Sequence, residues 1–351
     1  MYAARPLFNS ATPYMDMGDN NKLICFGAYN SNLWQKAADA AKAVLDWASQ
    51  HNCSLINTGS PLDDYGTAVA TPSNKEVLLA YKCQATDGGV GYYYPLAQSG
   101  GANSMSYDML KQYYKADGTD QTWPSISAGA VTFSDFTTRI NQMEPRYKAS
   151  AMAAGIDAWN NPNDNTWTCN NVVYNGTNWD GRSNAESCGR RVKFWYHAGT
   201  RAWFEFPIYR LAEFYLDLAE AYNELGNSNN SLQYLNPIRN RAGLPNITET
   251  NQTNLRKLIQ REWAIEFYEE GHRLYDVKHW KLDDVGNGII GGPRTGFFYT
   301  YKSGTWGAYA TDYLTYSLEV RYTGFWSNSQ YLSPFPVSEI NKGYLIQNPG
   351  Y

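Results

Sequence analysis

The sequence is short of the features on which several functional classes depend. Its five cysteines (Cys25, Cys53, Cys83, Cys169 and Cys188) are odd in number and include no CxxC pair, which excludes a disulfide framework. Cys169 and Cys188 flank an Asn/Gly-rich loop and read either as a pair or as two separate thiols. Four histidines (His51, His197, His272 and His279) are too scattered for HExxH or a His/Cys zinc spacing. There is no GxxxxGK[ST] loop, no GxGxxG opening a helix and no GxSxG elbow, so no nucleophile or phosphate cradle is nominated. No Lys/Arg-rich block occurs, and Lys+Arg 29 against Asp+Glu 33 gives a net charge of -4. Nucleic acid is therefore not an expected partner, because its binding depends on clustered positive charge. No uninterrupted apolar run approaches the ~20 residues of a membrane helix. The opening Met1–Asn9 lacks the charged start, apolar stretch and cleavage site of a signal peptide. Asp63–Asp64 and Asp283–Asp284 lack the alternating spacing of a calcium loop and read as solvated surface pairs. No cofactor is expected, and a structural cation is not indicated.

What the chain has in quantity is aromatic rings and amides. Tyr 29, Trp 12 and Phe 13 make up 15% of 351 residues, and 32 residues are Asn. Flat apolar rings beside hydrogen-bonding amides suit a sugar, which has apolar faces and polar edges. The same rings also suit the core of a helical protein, so only those in loops favour the ligand reading.

Apolar periodicity predicts a helix over Leu33–Gln50, capped by Asn30 or Ser31, with Leu33, Ala37, Ala40, Ala41, Val44, Leu45 and Ala48 on one stripe. A second covers Tyr209–Leu225 and stops at Gly226. A third covers Ser231–Ala242, with a kink or restart at Pro237, and the two make a tetratricopeptide-like hairpin. A fourth runs from Thr253, as its N-cap, to Glu270, with Gly271 as its stop. On that helix Glu262 and Glu266 lie one turn apart. Glycosidase carboxylates must flank a bond from opposite sides, so this pair is read as ion-pairing with Arg261, Arg273 or Arg239. More widely, several of Arg210, Glu213, Glu220, Arg239, Arg241, Glu262, Glu266, Arg273 and Asp276 are expected to pair inside the scaffold. Residues 54–208 and 283–333 have weak periodicity and read as ordered, loop-rich excursions.

From Arg210 onward the sequence resembles the SusD/RagB family of Bacteroidetes outer-membrane glycan-binding lipoproteins. The resemblance is carried by Arg210-Leu-Ala-Glu-Phe-Tyr-Leu-Asp-Leu-Ala-Glu-Ala-Tyr-Asn-Glu-Leu-Gly226 and by Leu235-Asn-Pro-Ile-Arg-Asn-Arg-Ala-Gly-Leu-Pro245. It continues in Ile259-Gln-Arg-Glu-Trp-Ala-Ile-Glu-Phe-Tyr-Glu-Glu-Gly-His-Arg-Leu-Tyr-Asp-Val-Lys-His-Trp-Lys281 and in the closing stretch Pro334–Tyr351. Weaker likenesses lie at Trp34–Val44, at Asn74–Val77 as the start of a strand, and at Glu144-Pro-Arg-Tyr147.

The resemblance implies a mainly α, tetratricopeptide-like fold with little sheet. It implies one SusD-like domain over 1–351, with 30–50 and 209–281 as scaffold and 54–208 and 283–333 on the ligand side. Met1–Asn9 resembles the middle of a family helix, so the chain is expected to be a fragment. The family's N-terminal segment, with the lipid anchor that would attach it to the membrane, is expected to be missing from this chain. The implied function is non-catalytic binding of a glycan for delivery to a SusC-like TonB-dependent transporter. A peptide- or protein-interaction scaffold of the same system is the alternative, and a glycoside hydrolase a weaker third. Trp34, Trp47, Trp263 and Trp280 fall on helices or scaffold motifs. The expected stacking platforms are Trp159 and Trp167, with Trp123, Tyr174 and Trp179 as secondary rings and Asn161, Asn165 and Asp180 as hydroxyl partners.

Overall fold

A computed structural model describes residues 1–84, 105–152, 188–191, 193–195, 203–282, 291–301 and 313–351. Helices dominate: α1 (Asn32–Gln50), α2 (Pro61–Ala70), α3 (Phe133–Asn141), α4 (Pro145–Ser150), α5 (Leu211–Glu224), α6 (Ser228–Arg241), α7 (Gln252–Glu266) and α8 (Arg273–His279). The strands of the two main sheets are β1 (Val77–Gln84), β2 (Val131–Thr132), β3 (Trp203–Arg210), β4 (Gly292–Tyr301) and β5 (Tyr313–Gly324). Their sheets are small and antiparallel: β1 with β3, and β2–β5–β4 in that order.

The expected hairpin is α5 and α6. Ala212, Leu216 and Ala219 of α5 meet Leu235 and Ile238 of α6, and Leu255, Ile259 and Trp263 of α7, with Phe267 just after it and Trp280 at the end of α8, close the cluster. On the other side of α5, Leu218 and Ala221 receive Trp34, Ala37, Ala38 and Ala41 of α1. Small residues here let the helix backbones approach closely. Ala40, assigned to the buried stripe by its spacing, is exposed, and Trp34 takes a place in the core.

Several boundaries differ from the sequence reading. Tyr209 and Arg210 end β3 instead of opening a helix, because Arg210 is extended and pairs in register with Val77. Asn251, and not Thr253, caps α7, its side chain accepting from the Thr253 and Asn254 amides at 3.1 Å each. That helix ends at Glu266, and the chain then turns through Glu269 and Gly271, at φ 67° and 85°. The α6 helix begins at Ser228, capped by the Asn227 side chain, and runs through Pro237 without a break. Proline removes one helical donor there, while Leu235 and Ile238 are buried and the Ser231 hydroxyl donates to the Ala219 carbonyl at 2.7 Å. Asp64 is no surface residue: it is buried and accepts from the Thr58, Gly59 and Ser60 amides and the Thr58 hydroxyl ahead of α2. Asp283 and Asp284 lie outside the described residues.

The long excursions contribute a second core. Tyr107, Leu110, Tyr113, Phe133, Phe136, Ile140 and Tyr147 pack with Phe297, Tyr316 and Leu318 of β4 and β5. Many of the abundant rings are spent here on packing, with Phe136, Phe297 and Tyr316 in mutual edge contact at 5.2–5.5 Å.

The two cores are joined by buried charge. Arg146, Lys193, Arg210, Arg239 and Arg241 meet Glu76, Glu144, Glu262, Glu266 and Glu270, five cations against five anions, all buried. Arg210 reaches Glu76 at 2.9 Å, Glu266 at 2.6 Å and Glu270 at 2.7 Å. Arg241 bonds Glu266 and lies 3.0 Å from Glu76. Burial opposes the charge on Glu266, yet Arg241, Arg210 and Arg146 outweigh it and hold its carboxyl well below the usual carboxylate range. Burial also pulls the Lys193 ammonium down to about 8, against the attraction of Glu270. Of the partners expected for Glu262 and Glu266, only Arg239 is among those observed; Arg261 pairs with Asp120 at 2.6 Å.

Arg239 is the least committed member, 3.3 Å from Glu262 and donating to the Pro245 carbonyl at 3.0 Å. Arg239→Ala is expected to cost about 1–3 kcal/mol, since Glu262 keeps Arg146. Denaturant titration should record that loss, and the folded variant should bind its ligand as the parent does.

Candidate ligand-binding cleft

Where the second core meets the end of α7, the surface opens into a cleft of ≈ 520 Å³. That volume lies within the range of small-ligand pockets. One wall is the short helix Tyr107–Leu110, which Ser106 caps by accepting from the Met109 amide at 3.1 Å, so that Asp108 stands at the rim. The floor is the turn between α7 and α8, which supplies Phe267, Tyr268 and Glu269, with Arg273 at the start of α8. Arg191, from the two-residue strand Arg190–Arg191, and Arg294, from β4, complete the charged lining.

The turn is strained at one residue. Glu269 holds φ at 67°, a left-handed conformation that side chains other than glycine rarely adopt. Its carboxylate thereby accepts from Arg191 Nη1 at 2.8 Å. Across the cleft, Asp108 is shared between Lys111 at 2.9 Å and Arg294 at 3.6 Å. Burial, with Glu269 adding to it, raises the Tyr268 phenol well above its usual range, so it stays a neutral hydrogen-bonding group.

Arg273 differs from the expectation that it pairs within the scaffold. Among the described residues it makes no hydrogen bond and no ion pair. Burial lowers its affinity for the proton and Asp276, one turn on, only partly offsets this; the guanidinium nonetheless stays charged. Asp276 is itself committed to Arg5 at 2.7 Å. The chemistry offered by the cleft is thus apolar surface, hydrogen-bonding edges and one cation without an ion-pair partner among the described residues.

Of the sequence-nominated residues, Trp159, Asn161, Asn165, Trp167, Tyr174, Trp179 and Asp180 lie outside the described residues. Trp123 is described. It is half-buried, 5.4 Å from Phe297 and 6.4 Å from Phe136, and among the described residues its buried indole N–H has no hydrogen-bond partner. The cleft residues were missed because Glu269, Gly271 and Arg273 sit within a motif read wholly as scaffold. Glu262 and Glu266, the pair that invites a hydrolase reading, are fully buried and locked by arginines.

The sequence profile of the SusD family matches residues 44–351. The starch-binding protein SusD of Bacteroides thetaiotaomicron is 32% identical over 148 residues, 42% of this chain and 22% of that protein. SusD-like protein P2 of Formosa agariphila is 33% identical over 153 residues, 40% of this chain and 25% of that protein. Each match thus spans about a quarter or less of the curated relative. A crystal structure of a SusD-like protein from Bacteroides fragilis NCTC 9343 superposes with a TM-score of 0.69 at 22% identity, covering 97% of this chain and 68% of that one.

Proposed function

The chain belongs to the SusD family, and from that membership we propose that it is a non-catalytic glycan-binding protein of the outer-membrane surface, which delivers oligosaccharide or polysaccharide to a SusC-like TonB-dependent transporter. Carbohydrate binding is named for its relative of Bacteroides thetaiotaomicron, and the profile match over residues 44–351 is the observation that carries the reading. The locked Glu262–Glu266 pair supports a binding role, because carboxylates sealed in a core cannot reach a glycosidic bond. No helix among the described residues is long and apolar enough to cross a membrane. Stacking of Trp159 and Trp167 on sugar faces is the second part of the proposal, with Trp123, Tyr174 and Trp179 beside them and Asn161, Asn165 and Asp180 bonding hydroxyls.

A glycan array identifies the ligand, and calorimetry then measures the ring contribution. Trp159→Ala and Trp167→Ala should each lose about 1–3 kcal/mol, roughly ten- to a hundredfold in affinity. Unchanged affinity in both would remove these rings from the site; an array without any bound glycan would remove the function.

A further inference from the structure

We propose that the cleft between Tyr107–Leu110 and the α7–α8 turn is a subsite for an anionic sugar, with Arg273 receiving the carboxylate of a uronic acid or a sulfate ester. The inference rests on the glycan-binding reading and narrows its ligand class.

Charge pairing within the cleft leads to this assignment. Its lining carries three arginines and two carboxylates. Glu269 is matched by Arg191 at 2.8 Å, and Asp108 by Lys111 and Arg294. Glu270, next to Glu269 in the chain, is taken by Arg210 and Lys193. Asp276 is taken by Arg5. Every carboxylate on the turn and on the first turn of α8 therefore has its cation, and among the described residues Arg273 is the surplus charge. A half-buried guanidinium with no ion-pair partner among the described residues is open to an anion, and its planar fork fits a carboxylate or sulfate through two parallel hydrogen bonds. Around it, Tyr268 and Leu274 present apolar surface to a sugar ring. The strained backbone at Glu269 has a part in this: it turns that carboxylate toward Arg191 and leaves Arg273 unneutralised.

The test uses the full chain in calorimetry with three probes: a trigalacturonate, a sulfated galactose trisaccharide and the uncharged galactose trisaccharide. At least one anionic probe should bind about tenfold or more tightly than the neutral one, with the advantage reduced by added salt. Whether the gain belongs to the uronate or to the sulfate identifies the source of the anion. Arg273→Gln should abolish the gap. Should that variant fail to fold, Leu274→Trp, at an exposed rim position, should abolish it by filling the cleft. Equal binding of charged and neutral probes, or a gap that survives either folded variant, overturns the subsite while leaving glycan binding intact. No binding of any of the three, joined to an array without a bound glycan, overturns both.

Discussion

Glu266→Ala should leave the chain unfolded or aggregated at room temperature. Glu266 accepts from Arg210 at 2.6 Å, from Arg146 at 3.2 Å and from Arg241, all without contact with water. Removing it leaves five buried cations facing four carboxylates. Breaking one side of a buried pair costs about 3–5 kcal/mol, and here three guanidiniums lose a partner together. A domain with a reserve of about 5–15 kcal/mol does not hold against a loss of that size or larger. Glu266→Gln should be nearly as harmful, because it keeps the shape and removes the charge. The sign of the pH effect follows from the depressed carboxyl: the stability it contributes is fully present above the ordinary glutamate value and is lost as pH falls through its lower folded value. Urea titrations monitored by circular dichroism from neutral pH into acid would read both effects. A Glu266→Ala chain as stable as the parent would mean that the network is ornamental to the fold.

Arg5→Met should release the N-terminal segment. The Arg5 guanidinium grips Glu220 with two hydrogen bonds of 2.9 Å each and Asp276 with one of 2.7 Å, and it lies 4.7 Å from the Trp280 ring centroid. Without it two buried carboxylates lose their counter-charge, a cost of about 3–5 kcal/mol at pH 8. Burial already pushes the Asp276 carboxyl up to about 6, against the pull of Arg5, and loss of the arginine raises it further. Below that value Asp276 is neutral and needs no cation. The gap in melting temperature between parent and variant should therefore be widest at pH 8 and narrow toward pH 5. Limited proteolysis at neutral pH should cut the variant before α1 while the parent resists. A gap independent of pH would show that Arg5 acts through packing on Trp280 and Tyr2 alone.

Both results depend on contacts whose legibility in the sequence was uneven. Trp263 and Trp280 are in the core as their motifs imply, and the α5–α6 hairpin follows from apolar spacing, since helical periodicity is local. The ends of the elements were less legible because they are decided at a distance. Arg210 stays extended through its pairing with Val77, 133 positions before it in the chain. Asp64 reads as surface until Thr58, Gly59 and Ser60 fold over it. Arg273 is the clearest case. A cation amid Glu269, Glu270 and Asp276 reads as paired, and only the arrival of Arg191, Arg210 and Arg5 from elsewhere in the chain takes those partners away. The expected sugar platforms around Trp159 and Trp167 rest on composition and loop position, as residues 153–187 are not described.

The joint between the two cores has a consequence for how such a chain can change. From the helical side come Arg210, Arg239 and Arg241 with Glu262, Glu266 and Glu270; from the excursions come Glu76, Glu144, Arg146 and Lys193. Each contribution is electrically neutral by itself, three against three and two against two. Closing the joint therefore brings no net charge into the interior from either side. So long as those four excursion residues keep their places, the loops strung between them can be exchanged, lengthened or given new specificities without disturbing the electrostatic balance beneath them. The scaffold then behaves as a socket, and the excursions as interchangeable fittings.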